Sequence, residues 1–219
     1  MTSKWIFGLL LVWTCGAQPP VKSQDELETE LASELRGWMD RVAARTSVSA
    51  ENRPTGAAVS VTELGHKIPR DAQKSFSRAN QFSKKGDHAS AATQLERATG
   101  RDPKFADAYT NLGVEYGLLG RLDDAAAALQ RSIELDPRSS IAHYNMGILL
   151  ARIGDLAGAE DSARRAVAES GENAWAHLLL GVLLWKSERT RSDGLRHIEF
   201  AARSLPDARK LIEGFDHPQ

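Results

Sequence analysis

Six histidines and a scatter of carboxylates are the side chains here that could move a proton or hold a metal. Imidazole titrates near neutral pH and is a common metal ligand. His143 and His177 stand 34 residues apart. A metal shared between them would need ligands closer than neighbouring helix hairpins allow, because helix axes pack about 8–10 Å apart. Packing within their own hairpins is the expected role. His66, His88 and Asn80 are the loose candidates for the polar cluster a hydrolase would need. A Ser/His/Asp triad is defined by geometry rather than chain order, so none is recognised in the sequence.

Other motifs reduce to helix chemistry. Gly113, Gly117 and Gly120 could suggest a phosphate loop, but they fall inside a helical pattern. The pairs Asp123-Asp124 and Glu160-Asp161 sit where helices are expected to begin, and capping is their expected use. Lys84-Lys85 and Arg164-Arg165 are expected on solvated faces. HExxH, GxxxxGK[ST], EF-hand and N-x-S/T patterns are missing from the sequence. No catalytic, cofactor or metal residue is assigned, and the expectation is a protein that is not an enzyme.

Charge and cysteine use narrow the classes further. The 28 Lys+Arg against 29 Asp+Glu give a net charge of −1, without the basic excess that nucleic-acid phosphates require. A lone cysteine, Cys15, forms no intrachain disulfide and no CxxC site. Hydrophobic residues at 42% supply material for a core. Alanine, the best helix former, fills 31 of 219 positions.

Cys15 belongs to a segment that reads as an address. Residues 1–17 resemble a secretory signal peptide: Lys4, an apolar run from Trp5 to Trp13, and small residues at Cys15 and Ala17. The run falls short of the roughly 20 apolar residues that span a bilayer. Trp13-Thr14 before Cys15 fits lipoprotein anchoring poorly. Cleavage after Ala17 would leave 202 residues, a charge of −2, no cysteine and no membrane span. A periplasmic or extracellular location is the expectation.

A short tail, 18–23, precedes an amphipathic pattern over 24–46. Leu27, Leu31, Leu35, Trp38 and Val42 form its stripe, with acids early and arginines late, as a helix dipole favours. Residues 47–69 read as a linker with a short extended segment, and Pro69 opens the next helix.

From there the chain repeats. Gly113, Gly147 and Gly181 are 34 apart, as are Gly86, Gly120 and Gly154. Ala91, Ala125 and Ala159 keep the period, and so do Pro103 and Pro137. In the best unit Tyr109, Leu112, Tyr116 and Leu119 recur at helical intervals. Gly120 offers a left-handed helix end, Leu122, Ala125, Ala126 and Leu129 face the core, and Pro137 stops the second helix. Gly113 and Ala125 allow the two helices to approach closely. One such hairpin buries too little alone, so stacking supplies the core.

Tyr109, Leu112, Gly113, Tyr116, Gly120, Ala125, Leu129 and Pro137 resemble the signature of the tetratricopeptide (TPR) repeat, with Ser132 where Ala is usual. Copies are expected at 72–105, 106–139, 140–173 and 174–208, within a solenoid over 70–208. The fourth carries one extra residue and Glu188 in place of the turn glycine, which predicts a distorted hairpin. Residues 209–219 are expected to cap the end. The stretch VSVTELGHKIP resembles the lead-in of exported bacterial TPR proteins. The resemblance implies an all-α, TPR-type α-solenoid, here preceded by an amphipathic helix.

It also implies where a partner would bind, on the concave face lined by the first helix of each repeat. The matching residues are Phe76, Asn80, Thr110, Asn111, Val114, Leu118, Tyr144, Asn145, Ile148, Arg152, Trp175, Leu178, Val182 and Trp185, flanked by Ser83 and Lys84. An asparagine at the Asn111 and Asn145 places often bonds a ligand backbone in the family, since an amide both donates and accepts. Phe76, Ile141 and Asn145 stand where the cations of a carboxylate clamp would be, so an apolar peptide or amphipathic helix is the expected ligand. The expected function is a scaffold or adaptor for an unidentified protein or peptide. The alternative is self-assembly into a homo-oligomer, with the 24–46 helix swapped into a neighbour; the competing place for that helix is as a cap on its own first repeat.

Overall fold

The computed structural model describes residues 66–185, 187–205 and 208. The leader, the 24–46 helix, the extended part of the linker and the 209–219 cap all lie outside the described residues. Eight helices are described, and no strand. They are α1 Arg70–Lys84, α2 His88–Arg101, α3 Ala106–Leu118, α4 Leu122–Leu135, α5 Ser140–Ile153, α6 Leu156–Glu169, α7 Ala174–Trp185 and α8 Arg191–Ala202. Consecutive helices pair as hairpins, and each hairpin stacks on the next, giving an all-α solenoid. Among the described residues no helix is long and apolar enough to cross a membrane.

Small residues set the spacing of the helices. A Cβ on Gly113 would lie 2.6 Å from Leu129 Cγ, and one on Gly147 would lie 2.9 Å from Leu179 Cδ2. The period continues N-terminally to Ala79, which is buried, so the first hairpin accommodates a methyl group there. Ala91, Ala125 and Ala159 are fully buried on the second helices. Ala125 shares its core cluster with Leu112, Tyr116 and Leu129 of the α3–α4 stripe. Leu119 departs from that stripe: it is the C-cap of α3 and is exposed.

Turns within the first three hairpins share one device. Gly86, Gly120 and Gly154 have φ of 75°, 76° and 92°, the left-handed region that a side chain strains. The fourth turn has no such glycine. Thr190 Oγ1 donates to the Leu184 carbonyl at 2.6 Å to close it.

Turns between hairpins also repeat. Asp102, Asp136 and Ser170 are all extended and follow their helices directly. Proline disfavours helical backbone in the residue before it, which accounts for Asp102 and Asp136. Ser170 adopts the same shape before Gly171, so the period holds without proline. Asp102 Oδ1 accepts from Lys104 N at 3.1 Å and Asp136 Oδ1 from Arg138 N at 3.2 Å.

The expected capping roles shift by a few residues. Asp87, Ser139 and Asp155 cap α2, α5 and α6 through side-chain oxygens. Asp123 and Asp124 lie in the first turn of α4 without capping it, and Asp124 instead accepts from Arg121 Nε at 2.7 Å. Glu160 lies beyond the start of α6 and pairs with Arg164.

Candidate functional site

The first helices, α1, α3, α5 and α7, build one face, and direct bonds tie the first three together. Asn111 Nδ2 on α3 donates to Asn80 Oδ1 on α1 at 3.2 Å. Arg152 on α5 donates to the Gly117 carbonyl on α3 at 2.6 Å. Phe76 meets Phe105 with ring centroids 4.9 Å apart. Half-buried Phe76, Asn80, Asn111, Val114, Leu118, Asn145, Arg152, Trp175 and Trp185 form the accessible part of this face. Each therefore offers surface while its base is held by packing.

The remaining predicted residues lie deeper. Thr110 is buried and within 2.6 Å of Ser132 Oγ, in the seam between α3 and α4. Its hydroxyl bonds within its own hairpin. Tyr144, Ile148, Leu178 and Val182 are also buried and form a floor rather than a rim. Burial pushes the Tyr144 hydroxyl far above its ordinary value. Ile141 was outside the predicted set but is 43% exposed, one period before Trp175. That shared repeat position was the signal for it.

The described histidines divide among four settings. His66 Nε2 donates to the Asp102 carboxylate, 2.8 and 2.9 Å from its two oxygens. His88 Nδ1 donates to Glu115 Oε2 at 2.8 Å. With Asn80 committed to Asn111, the three loose catalytic candidates form three separate pairs. Asp102 and Glu115 are buried carboxylates, so each histidine supplies the donor that burial demands. His143 Nε2 donates to the Pro137 carbonyl at 2.8 Å and His177 Nε2 to the Gly171 carbonyl at 3.1 Å. These two rings tie their helices to the preceding turn at equivalent places in successive repeats. His177 also meets His197 on α8. Among the described residues no group of three or more His, Cys, Asp or Glu could hold a metal.

A second polar cluster lies on the hairpin seams. Tyr116 OH donates to Glu96 Oε1 at 2.8 Å, and the Arg121 guanidinium lies 4.1 Å from the Tyr116 ring centroid. Burial, and then the bond to Glu96, push the phenol up to about 12. Tyr116 is therefore a neutral donor that joins α3 to α2, and not an acid-base group at physiological pH.

Known proteins share this architecture. The family pattern described as the tetratricopeptide repeat matches residues 76–139, 115–174 and 144–190. Together these span 76–190, more than half of the 219 residues. A crystal structure of MamA superposes with a TM-score of 0.55 at 17% identity, covering 87% of this chain and 98% of that one. The first TPR of Spaghetti (RPAP3), bound to the HSP90 peptide SRMEEVD, gives 0.50 at 19% identity, covering 58% and 94%. The O-GlcNAc transferase mutant K341M of Thermobaculum terrenum gives 0.55 at 26% identity, covering 63% of this chain but 27% of the transferase. No curated protein matches the chain. The period, the paired helices and the family match agree: the chain belongs to the tetratricopeptide repeat family.

Proposed function

We propose that this protein is an exported, non-catalytic scaffold that holds a peptide or helix of a partner protein on a concave face built by α1, α3, α5 and α7. The supporting observation is a row of half-buried side chains on successive first helices, with Asn80 and Asn111 bonded across two repeats. Such a row gives apolar contact with an amide that can exchange its internal bond for one to a ligand backbone. Spaghetti holds its HSP90 peptide through the same repeat class. That peptide, SRMEEVD, is rich in acids. Here Phe76 and the exposed Ile141 occupy clamp places, which favours an apolar helix over an acidic chain end. Export rests on the leader-like residues 1–17.

The test is crosslinking capture from the envelope fraction with the wild type and the Asn111→Ala/Asn145→Ala variant. Partners recovered with the wild type are expected to fall about tenfold with the variant, about 1.4 kcal/mol of affinity. Equal recovery would remove the groove assignment. Self-assembly through residues 24–46 would instead appear as a mass that rises with concentration in light scattering.

A further inference from the structure

The last hairpin carries a pair of rings whose protons can be placed. His177 on α7 and His197 on α8 face each other with Nδ1 2.8 Å from Nδ1. His177 Nε2 lies 3.1 Å from the Gly171 carbonyl, which only accepts, so His177 keeps its proton on Nε2. Neutral His177 then has a bare Nδ1, and the bond between the rings uses the Nδ1 proton of His197. The bare nitrogen left in the pair is His197 Nε2. Behind the pair His177 stacks on Phe200, with centroids 4.1 Å apart, and is buried. His143 makes the same carbonyl bond in the third hairpin, where Ser162 holds the place of His197 once the one-residue insertion is allowed for. The pair therefore distinguishes the fourth hairpin from the third.

This arrangement tolerates one added proton but not two. The first settles on His197 Nε2, and the charged ring still donates from Nδ1. A second has to settle on His177 Nδ1, which points two N–H groups at each other across 2.8 Å. It also buries a second positive charge among cations. Arg164 faces the pair from α6, Arg196 from α8, and Arg203 lies over Phe200. Two carboxylates accompany these arginines, Asp193 paired with Arg196 and Glu160 paired with Arg164, so neither is left to receive the second charge.

We propose that the His177–His197 pair is an acid-released latch, closing α7 against α8 with no added proton or one and opening when the pair takes two. Burial holds both rings below the ordinary imidazole range, and for His197 the positive neighbours add to it. The sign follows from proton counting. An open hairpin binds two protons as pH falls through about 6.5, while the closed one binds fewer, so acid favours opening. Because α7 carries Trp175 and Trp185, release alters the C-terminal end of the first-helix face. The latch does not depend on whether that face binds a partner.

Hydrogen exchange on the full chain at pH 7.5 and pH 5.0 tests this, with α3–α4 as internal reference. Protection in α7–α8 is expected to fall about tenfold relative to α3–α4 at pH 5.0, against a ceiling of tenfold per pH unit for each proton. His197→Gln should abolish most of that fall, because Gln can turn either its amide or its oxygen toward His177 and tolerates both charge states. Nitrogen-15 spectra of the wild-type imidazoles provide a check that needs no variant, with His177 expected as the Nε2–H form and the pair titrating in two separated steps. Parallel loss of protection in both hairpins, a full acid response in His197→Gln, or two independent titrations at ordinary values would each overturn the latch.

Discussion

The second and fourth hairpins occupy equivalent places in a 34-residue period and are closed by different chemistry. In α3–α4 the turn uses Gly120 at φ 76°, and Ser132, Thr110 and the Ala106 carbonyl share hydrogen bonds in the seam. In α7–α8 the stretch between the helices carries one extra residue, and Thr190 closes it. Its seam is tighter, with glycine on both helices, since a Cβ on Gly194 would lie 2.7 Å from the Gly181 carbonyl oxygen. The contrast teaches that the period fixes how helices stack, while local bonds decide how each hairpin is held. A turn glycine can be lost if a hydroxyl takes over the closure and the helices draw closer.

The largest test of that contrast is Gly194→Ala. The atoms its Cβ would meet are all backbone: Gly181 O at 2.7 Å, Trp185 N at 2.9 Å and Leu184 C at 3.2 Å. Backbone cannot rotate away, so a cost of about 3 kcal/mol is expected, at the upper end for overpacking. Gly113→Ala meets mainly the Leu129 side chain, and buried Ala79 already fills the matching place in α1. About 1 kcal/mol is expected there, helped by the better helix propensity of alanine. Urea titration followed by hydrogen exchange of each hairpin would compare the two. Equal costs would show that the tighter seam of the fourth hairpin has no energetic consequence.

Next in size is Gly120→Ala. A residue with a side chain held at φ 76° costs about 1–2 kcal/mol through its Cβ, and no neighbouring atom lies close enough to add to that. Local loss of protection in α3–α4 is the expected readout. If Gly120→Ala leaves protection unchanged, the turn conformation is not what separates the first three hairpins from the fourth.

Much of this fold was legible because its determinants are local and periodic. Glycine needs no partner to mark a left-handed turn, and Gly86, Gly120 and Gly154 stand where the period predicts. Alanines at 91, 125 and 159 likewise mark the buried side of each second helix. The site was less legible because its partners come from stacking. His66 finds Asp102 36 residues away and His88 finds Glu115 27 residues away, separations that match no period. His177 meets His197 across the hairpin, at a place where the third hairpin has Ser162, so the pair follows from one residue and not from the period. The bond made by Thr110 was hidden for a related reason. Its helical position is shared with Phe76 and Tyr144, but the hydroxyl of Ser132 draws it into the seam.

That same hydroxyl supplies the smallest and most discriminating test. Ser132 stands where the family usually has alanine, and it is fully buried. Burial of a hydroxyl is tolerable only with bonds, and Ser132 has two, to Ala106 O at 3.0 Å and Thr110 Oγ1 at 2.6 Å. Ser132→Ala removes them while leaving Thr110 within 3.3 Å of the same carbonyl, so the remaining groups still satisfy one another. A loss below about 1 kcal/mol is expected. Thr110→Val alone should cost no more, because Ser132 keeps its carbonyl bond at 3.0 Å and loses only the neighbour at 2.6 Å. Joining the two substitutions removes both hydroxyls together, and the double variant should be more stable than the sum of the single losses predicts. A double-mutant cycle by urea denaturation measures the difference. Strict additivity would mean that the hydroxyl pair is incidental and that shape alone closes the second hairpin.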